Sequence, residues 1–279
     1  MATATIPVSG EAVRNSISKF YQVQIVERQD LTANLWRIKV DPGGAFAHIP
    51  GQYATLGVVT PHKHVERAYS IVSAPHEEFL EFFIEMVPGG ELTPLLHKLR
   101  VGDRLTCRKM AKGRFTLDTQ SGHKNHLLIA TVTGVAPFVS MIRSWQQESK
   151  NSEVKHNFFL IEGPSHSLEL GYREEIELAA TESRGLAFVP TISRPWDEPL
   201  WNGETGRVDD LIRKYADFWG LAPETTTAYL CGNPTMIENC KGILKRRGWR
   251  SEGMRDEVYF VRGKHAPEPE PTLQPLTLC

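Results

Sequence analysis

The hydrophobic pattern of the chain changes once, near Leu117, and this change limits the folds that are open to it. Before Leu117, short runs alternate apolar and polar residues between Gly- and Pro-containing turns, which is typical of half-buried antiparallel strands. After Leu117, continuous apolar runs alternate with helix-like segments, which is typical of a parallel sheet covered on both faces. The sequence therefore predicts a β-domain followed by an α/β domain.

The first half contains six strand-like runs, at residues 21–26, 35–40, 53–59, 67–72, 79–86 and 104–110. Their regular spacing predicts a six-stranded antiparallel barrel. One helix interrupts the series, with Thr93 as its expected N-cap and Pro94 at its first position. The predicted barrel domain spans residues 18–118.

Four apolar runs follow, at residues 127–131, 158–161, 188–192 and 227–231, and helical patterns separate them. The last helix has the clearest ends, because Asn233 can cap it, Pro234 suits its first turn and Gly248 can stop it. The alternation predicts a doubly wound parallel sheet over residues 119–262. Residues 263–279 are rich in Pro and Glu at their start and are predicted to form a flexible tail.

Composition excludes several classes of protein. The chain has 279 residues and a formal net charge of -1, so nothing favours nucleic acid as a partner. No apolar run approaches the roughly 20 residues that span a bilayer, and the first residues lack the features of a secretory signal. The four cysteines show no CxxC pair and no zinc-like Cys/His spacing. We therefore expect a cytoplasmic protein without a metal site or a membrane partner.

The first candidate binding segment is Arg67-Ala-Tyr69-Ser70. Arg67 offers a cation to a pyrophosphate, and Tyr69 points to the same side of the strand, where its ring can lie against a flat heterocycle. The Ser70 hydroxyl can reach a ring nitrogen of such a ligand. An ordinary edge strand with an exposed arginine would have the same sequence, so this segment alone leaves both interpretations open.

A glycine-containing turn, from Pro88 to Thr93, precedes the predicted helix. Glycine allows the backbone to approach a ligand closely, and a helix N-terminus presents free N–H groups to an anion. A simple turn is the alternative interpretation. Together with the Arg67 segment upstream, the turn favours a diphosphate ligand.

Two further segments lie where predicted parallel strands end, which is where such sheets bind ligands. Thr131 to Pro137 is a strand-to-helix turn that contains Gly134, and Cys231-Gly-Asn-Pro repeats this geometry with a thiol. We expect the position beside a helix N-terminus to favour the thiolate form of Cys231. A helix start without a ligand and a small core cysteine are the respective alternatives.

Two groups of basic residues are candidates for charged partners. Arg194 and Arg207 bracket the end of the third apolar run, where they can grip the 2′-phosphate that distinguishes NADP from NAD. The cluster from Arg108 to Arg114 can steer an acidic protein partner. Solvated arginines and a solvated loop are the alternatives.

These motifs, in this order, resemble those of the bacterial type of ferredoxin–NADP reductase from about Tyr21 to Val261. The resemblance implies an FAD-binding barrel followed by an NADP-binding domain. It implies that Arg67 meets the FAD pyrophosphate, Tyr69 the isoalloxazine ring and Ser70 the region of flavin N5. It further implies FAD contacts from Ile84, Glu85, Met86, Gly90, Leu92 and Thr93.

The same resemblance implies positions for the nicotinamide nucleotide. Thr133 and Gly134 match the family's loop beneath the nicotinamide and pyrophosphate, and Cys231 matches the thiol beside nicotinamide C4. Ser165 stands where some members have an arginine that grips phosphate, so the preference for NADP is expected to depend on Arg194 and Arg207.

One further feature departs from the family pattern, and another matches it. Val132 stands where members usually have a small residue, and we expect its bulk to tighten or shift the loop. The aromatic pair Tyr259-Phe260 matches the aromatic residue stacked on the flavin, and movement of Phe260 or Tyr259 would admit the nicotinamide.

The function implied by the resemblance is electron transfer between NADPH and a one-electron carrier, ferredoxin or flavodoxin, through hydride transfer to flavin N5. Ser70, Cys231 and Phe260 are the residues implied to act in catalysis. The reductase component of a multicomponent oxygenase is an alternative, because it shares the two domains. A non-catalytic flavin-binding electron-transfer subunit is a second alternative.

Overall fold

The computed structural model describes residues 18–148 and 156–259, which form two six-stranded sheets and five α-helices. Phe260 and the predicted tail, residues 263–279, lie outside this part of the chain. Within the described ranges, no helix has the length and apolar character that crossing a membrane requires.

The first sheet is antiparallel, as predicted, and consists of β1 (Phe20–Thr32), β2 (Leu35–Asp41), β3 (Tyr53–Val59), β4 (His64–Ser70), β5 (Leu80–Glu85) and β6 (Arg104–Arg108). Its strand order is β4-β3-β6-β1-β2-β5. Just beyond β4, Ile71 forms a bridge to Phe82 of the opposite edge strand, and the Val72 N–H donates to the Glu81 carbonyl at 2.9 Å. The two edges therefore meet, and the sheet closes into the expected barrel.

A short helix, α1 (Thr93–Lys98), follows β5. The prediction that Thr93 caps this helix was wrong, because Leu92 occupies the N-cap position and makes no side-chain capping bond. The Thr93 hydroxyl instead accepts a hydrogen bond from the Val87 N–H at 3.0 Å. This longer-range bond holds the glycine-containing turn against the start of α1.

The second sheet is parallel and consists of β7 (Asn125–Ala130), β8 (Asn157–Glu162), β9 (Leu186–Ile192), β10 (Glu204–Thr205), β11 (Thr226–Gly232) and β12 (Met254–Val258). Its order is β10-β9-β8-β7-β11-β12. The chain thus builds outward from β7 to β10 and then returns to the other side of β7. The direction reverses between β7 and β11, and open parallel sheets bind ligands at such a point.

Helices cover both faces of the parallel sheet, so the predicted doubly wound architecture is confirmed. The helices α2 (Ala136–Glu148) and α3 (Arg173–Glu182) lie on one face, and α4 (Val208–Phe218) and α5 (Pro234–Arg246) lie on the other. Asn233 caps α5 as predicted, because its side-chain oxygen accepts N–H bonds from Thr235 at 2.9 Å and Met236 at 3.3 Å.

The barrel packs on the face that carries α2 and α3. Leu35, Val72 and Phe83 of the barrel belong to the same buried cluster as Phe138 of α2 and Ile176 of α3. Burial of apolar side chains contributes about 25 cal/mol per Å² of apolar surface removed from water. This continuous apolar contact therefore fixes the barrel relative to the carboxyl ends of the parallel strands.

Candidate functional site

The carboxyl ends of β7, β11 and β12 lie side by side in register. Cys231 of β11 pairs with Ala130 of β7 on one side and with Glu257 of β12 on the other. Cys231 is fully buried and belongs to the apolar cluster between the sheet and the barrel. Its side chain therefore faces the barrel, and so does this edge of the sheet.

Ser70, at the end of β4, is a barrel residue that meets this edge. Its hydroxyl donates a hydrogen bond to Oε2 of Glu257 at 3.1 Å and accepts one from the Tyr259 hydroxyl at 2.9 Å. The Tyr259 hydroxyl also lies 3.4 Å from the Thr133 carbonyl oxygen and is hydrogen-bonded to the Cys231 thiol. The structure thus brings together residues that are as many as 189 positions apart in the chain.

We call Ser70, Thr133, Cys231, Glu257 and Tyr259 the Ser70–Tyr259 cluster. Burial raises the pKa of the Glu257 carboxyl above its ordinary value, and the hydrogen bond from Ser70 partly offsets this rise. Burial also raises the pKa of the Tyr259 phenol, with a further contribution from Cys231 and Glu257. The Tyr259 phenol therefore stays protonated, and the Glu257 carboxyl binds a proton more readily than an exposed carboxyl does.

Cys231 does not have the thiolate character that its position suggested. Burial raises the pKa of its thiol well above the ordinary value, and the nearby Glu257 carboxylate raises it further. The hydrogen bond with Tyr259 opposes this rise but is the smaller effect. Cys231 is consequently a neutral thiol, which can contact a ring without acting as a nucleophile.

Sequence reasoning missed Glu257. It lies in β12, whose sequence Met-Arg-Asp-Glu-Val contains no apolar run that would identify a buried strand. The sequence feature that could have identified Glu257 is its position two residues before Tyr259. Since alternate residues of a strand share one face, a carboxylate two positions before Tyr259 is expected near the same ligand.

The turn that carries Thr133 is held tightly against β11. An added Cβ at Gly134 would lie 2.2 Å from the Cys231 carbonyl oxygen, so only glycine fits there. The Thr131 hydroxyl accepts a hydrogen bond from the Asn233 N–H at 2.9 Å, which joins this turn to the turn after β11.

Val132, in the same turn, has a φ of 46°, a left-handed value that β-branched residues rarely adopt. Its side chain packs against the apolar cluster that faces the barrel, which compensates for the strain.

The barrel motif presents its three side chains in different surroundings. Arg67 is exposed, and its Nη2 atom lies 3.4 Å from the Glu91 carboxylate. The Arg67 segment and the glycine-containing turn therefore lie next to each other, as a shared diphosphate site requires. Tyr69 is half-buried against the barrel core, and this burial raises the pKa of its phenol, so the ring is uncharged.

The remaining barrel candidates differ in accessibility. The side chains of Ile84 and Leu92 lie inside the barrel core, at 0% and 1% exposed, so only their backbone groups remain for a ligand. Thr93 is buried as well, and its hydroxyl is already bonded to Val87. The three other candidates lie nearer the surface: Glu85 is exposed, and Met86 and Gly90 are half-buried.

Arg194 and Arg207 converge on the end of β9. Arg194 follows β9 by two residues, and Arg207 follows Thr205, which pairs with Ile192 at the end of β9. Both arginine side chains are exposed, and Arg207 lies 3.2 Å from Asp209. The Arg194 N–H donates to the Ser165 carbonyl at 3.1 Å, so Ser165 lies at the same edge of the sheet.

Glu162 is a second carboxyl that the sequence did not reveal. It ends β8 beside Ala130, is fully buried, and has no hydrogen-bond partner for either carboxylate oxygen within the described residues. Burial raises its pKa to about 8. A charged residue at the end of an apolar run is normally the first exposed one, which is why its burial was not expected.

Replacement of Glu162 by Gln is expected to change how stability depends on pH. The pKa of the folded protein, about 8, exceeds the ordinary value of 4.5, so the folded state retains a proton that the unfolded state releases. Wild-type stability should therefore fall as the pH rises from 4.5 to 8. We expect Glu162→Gln to raise the free energy of unfolding by on the order of 4 kcal/mol at pH 8.5, with little change at pH 5.

Urea unfolding at both pH values tests this expectation. Glu182→Gln, at the exposed end of α3, is the matched control and should have the same small effect at each pH. If Glu162→Gln changed the stability equally at pH 5 and pH 8.5, burial of an ionisable carboxyl would not be the cause.

Replacement of Gly134 by Ala tests the close approach of the two turns. The added methyl group meets backbone atoms, which cannot rotate away, so the turn has to move off β11. We expect the free energy of unfolding to fall by about 1–3 kcal/mol in urea denaturation. Gly242→Ala in α5 is the control, because its Cβ meets only a side-chain atom at 3.5 Å and alanine favours the helix. Equal stability of Gly134→Ala and wild type would contradict the contact.

Comparison with known proteins agrees with this geometry. Residues 22–116 match the family model of the oxidoreductase FAD-binding domain, and residues 128–242 match that of the oxidoreductase NAD-binding domain. These two segments contain the barrel and most of the parallel sheet.

Curated relatives are similar over most of the chain. Ferredoxin–NADP reductase A of Sorangium cellulosum is 30% identical over 259 residues, which cover 88% of this chain and 90% of that protein. Ferredoxin–NADP reductase of Pseudomonas aeruginosa is 30% identical over 245 residues, covering 83% and 92%. A solved ferredoxin NADP+ reductase of Neisseria gonorrhoeae, with bound FAD and NADP, shares the fold with a TM-score of 0.75 at 24% identity, over 87% of this chain and 99% of that one.

Proposed function

The chain belongs to the ferredoxin–NADP reductase family, and from this membership we propose that it transfers electrons between NADPH and ferredoxin. It is an oxidoreductase with an FAD-binding and an NAD(P)-binding domain. The observation that supports the proposal most directly is the contact of Ser70 with Glu257 and Tyr259. This contact joins the barrel motif to the switch point of the parallel sheet, where two cofactors would have to meet.

The barrel residues fit FAD. Arg67 is exposed next to the glycine-containing turn, so its guanidinium and the backbone N–H groups of the turn can bind a diphosphate. Tyr69 can hold one face of a flat ring, while the Ser70 hydroxyl can bond to a nitrogen at the edge of that ring. Bound FAD supplies a hydride acceptor that releases electrons one at a time. Among the other candidates, Ile84 and Leu92 contribute only backbone groups.

The sheet residues fit a nicotinamide nucleotide. The turn with Thr133 and Gly134 presents backbone groups at the start of α2, where a pyrophosphate is favoured. The neutral Cys231 thiol lies at the same edge and can pack beside an uncharged or a cationic nicotinamide ring. Arg194 and Arg207 provide two exposed cations for a 2′-phosphate at the end of β9. These roles require the carboxyl ends of β7, β9 and β11 to lie at the same edge of the parallel sheet, as they do.

Tyr259 is the member of the Ser70–Tyr259 cluster that is proposed to move. Tyr259 bonds to both Ser70 and Thr133, so its phenol lies between the barrel and the sheet in the cleft where the nicotinamide ring would enter. We propose that these bonds break when the nucleotide binds. The part played by Phe260, which follows Tyr259 in sequence, stays a prediction.

Glu257 and Ser70 provide a route for the proton that accompanies electron transfer. The Ser70 hydroxyl donates to the Glu257 carboxylate at 3.1 Å, and a hydroxyl in this position can relay a proton to or from the ring beyond it. The raised pKa of Glu257 brings its proton affinity closer to neutral pH. Ser70 is thus a catalytic residue in the proposal, whereas Cys231 orients the ring.

A basic surface is proposed to receive the acidic carrier protein, either ferredoxin or flavodoxin. Lys109, Lys112 and Arg114 are exposed, whereas Arg108 pairs with Glu66 and stacks on a ring of the barrel. The Lys112 backbone pairs with the first residue of β3, which in turn pairs with Ser70. The basic surface therefore lies beside the strand end that would hold the flavin.

We also propose a cytoplasmic location and a functional boundary near residue 118, between an FAD domain (18–118) and an NADP domain (119–262). Cys107, Cys231 and Cys240 are free, buried thiols, which is consistent with a reducing compartment. The boundary falls in the segment between β6 and β7, after the last barrel strand and before the first parallel strand.

An anaerobic titration tests the proposed function. We expect NADPH to bleach the flavin absorption of the yellow protein, and added oxidised ferredoxin to restore it, because the two half-reactions share one flavin. Absorption is recorded with NADPH, with NADH, and then with ferredoxin. The control is ferredoxin mixed with NADPH alone.

The outcomes separate the three candidate functions. Bleaching by NADPH followed by reoxidation with an oxygenase component, but not with ferredoxin or flavodoxin, would favour the oxygenase reductase. Bound FAD that does not respond to either nucleotide would identify a non-catalytic subunit and reject the proposal.

Replacement of Arg194 by Ala is expected to weaken NADPH binding about 10- to 100-fold and NADH binding less than twofold. Loss of one charge-assisted bond to a phosphate has this magnitude, and NADH lacks the 2′-phosphate. Dissociation constants from difference spectra provide the measurement. Arg213→Ala, an exposed arginine of α4, is the control and should leave both constants unchanged. Equal losses for the two nucleotides would refute the assignment.

A further inference from the structure

Arg143, in the middle of α2, joins the α/β half of the molecule to the barrel through a partly buried ion network. Its Nη1 atom donates to Oε2 of Glu81 in β5 at 2.8 Å and lies 3.3 Å from Oε1 of Glu77. Its Nε and Nη2 atoms donate to the two carboxylate oxygens of Glu175 in α3, at 2.7 and 2.8 Å. One guanidinium group, whose side chain is only 17% exposed, therefore connects α2, α3 and the barrel.

Glu81 is held from a second side as well. The Tyr172 hydroxyl donates to Oε1 of Glu81 at 2.9 Å, and the Ser73 hydroxyl accepts a bond from the Glu81 N–H at 3.1 Å. The Tyr172 ring packs edge-on against Phe83 of β5, with the ring centroids 5.4 Å apart. Both carboxylate oxygens of Glu81 are thus bonded to groups from the α/β half. This leaves the barrel end of the network little freedom to move.

Helix α2 connects this network to the turn at the proposed nucleotide site. The helix begins directly after the turn with Thr133 and Gly134, and Arg143 lies two helical turns further on, roughly 10 Å along the axis. Between them, the Ser140 hydroxyl donates to a barrel carbonyl, that of Ser73, at 2.8 Å. These two bonds to the barrel restrain the tilting and sliding of α2. Any such movement of the helix would carry the turn at its N-terminus with it.

We infer that Arg143 is a positioning residue for hydride transfer, because apolar packing brings the two halves together without direction, whereas the directional bonds of Arg143 to the barrel adjust the exact distance between the Thr133–Gly134 turn and the Ser70 end of β4. The inference rests on the proposed function. Hydride transfer requires reacting atoms about 3–3.5 Å apart, and a displacement of about 1 Å can reduce the rate about 100-fold. Arg143 touches neither proposed cofactor site; it acts through α2.

The test compares Arg143→Lys with wild-type holoenzyme. Lysine keeps the charge beside the buried Glu81, so the fold is retained, but it cannot reproduce the forked bonds to Glu81 and Glu175. We expect stopped-flow flavin reduction by NADPH to slow at least 10-fold, the NADPH dissociation constant to stay within twofold, and the long-wavelength charge-transfer band between nicotinamide and flavin to weaken. Hydrogen exchange of the backbone amides at residues 131–136 should become faster.

Two further variants separate the contact with the barrel from a general effect: one weakens that contact, and the other is a control away from it. Tyr172→Phe removes one bond to Glu81 but keeps the ring packing, so we expect a smaller change in the same direction. Arg247→Lys is the matched control, because Arg247 joins α5 to Asp217 of α4 by an ion pair and has no bond to the barrel. It should behave like wild type in every measurement.

Several results would overturn the inference. A wild-type rate, charge-transfer band and amide exchange in Arg143→Lys, with or without a lower melting temperature, would leave Arg143 with a structural role only. An equal slowing in Arg247→Lys would point to general loosening. If wild-type protein accepts no hydride from NADPH, the proposed function fails, while amide exchange at residues 131–136 still decides whether Arg143 holds the turn.

Discussion

The packing of the barrel onto the α2–α3 face of the parallel sheet is the interaction on which the rest of the structure depends. Leu35, Val72 and Phe83 of the barrel share one buried cluster with the helices, so the two halves have a common core. The polar contacts of the Ser70–Tyr259 cluster form at the edge of this apolar seam. They need little energy of their own, because the seam already holds the strand ends opposite each other.

The fold follows closely from local patterns in the sequence. Alternating runs identified the antiparallel strands, and continuous runs identified the central parallel strands, because burial on one or both faces determines these patterns. The ends of α5 were evident from Asn233 and Gly248, which act through local backbone geometry. The edge strands β10 and β12 were not evident, since short polar edge strands carry no periodic signal.

The candidate site was only partly accessible from sequence, and the reason is the range of its interactions. Ser70, Thr133, Cys231 and Tyr259 stand in recognisable motifs, and the structure places them in one cluster. Glu257 stands in no such motif, and only the pairing of β12 with β11 brings it beside Cys231. Thr93 shows the converse, because a hydrogen bond to Val87 replaces the local cap that its sequence suggested. Burial likewise keeps the Cys231 thiol protonated, because it raises the pKa of that thiol. The position of Cys231 beside a helix N-terminus predicts the opposite.

Under the proposed function, the position of Tyr259 has a consequence for the affinity of the coenzyme. Its hydroxyl bonds to Ser70 and Thr133, so a nicotinamide ring that enters between the barrel and the sheet, as proposed, has to displace a side chain of the protein itself. The free energy of the displaced contacts is subtracted from the affinity for the oxidised and the reduced nucleotide alike. Under the proposed function, such a built-in competitor weakens the binding of both forms of the coenzyme equally and leaves the energetic balance between the two directions of electron flow unchanged.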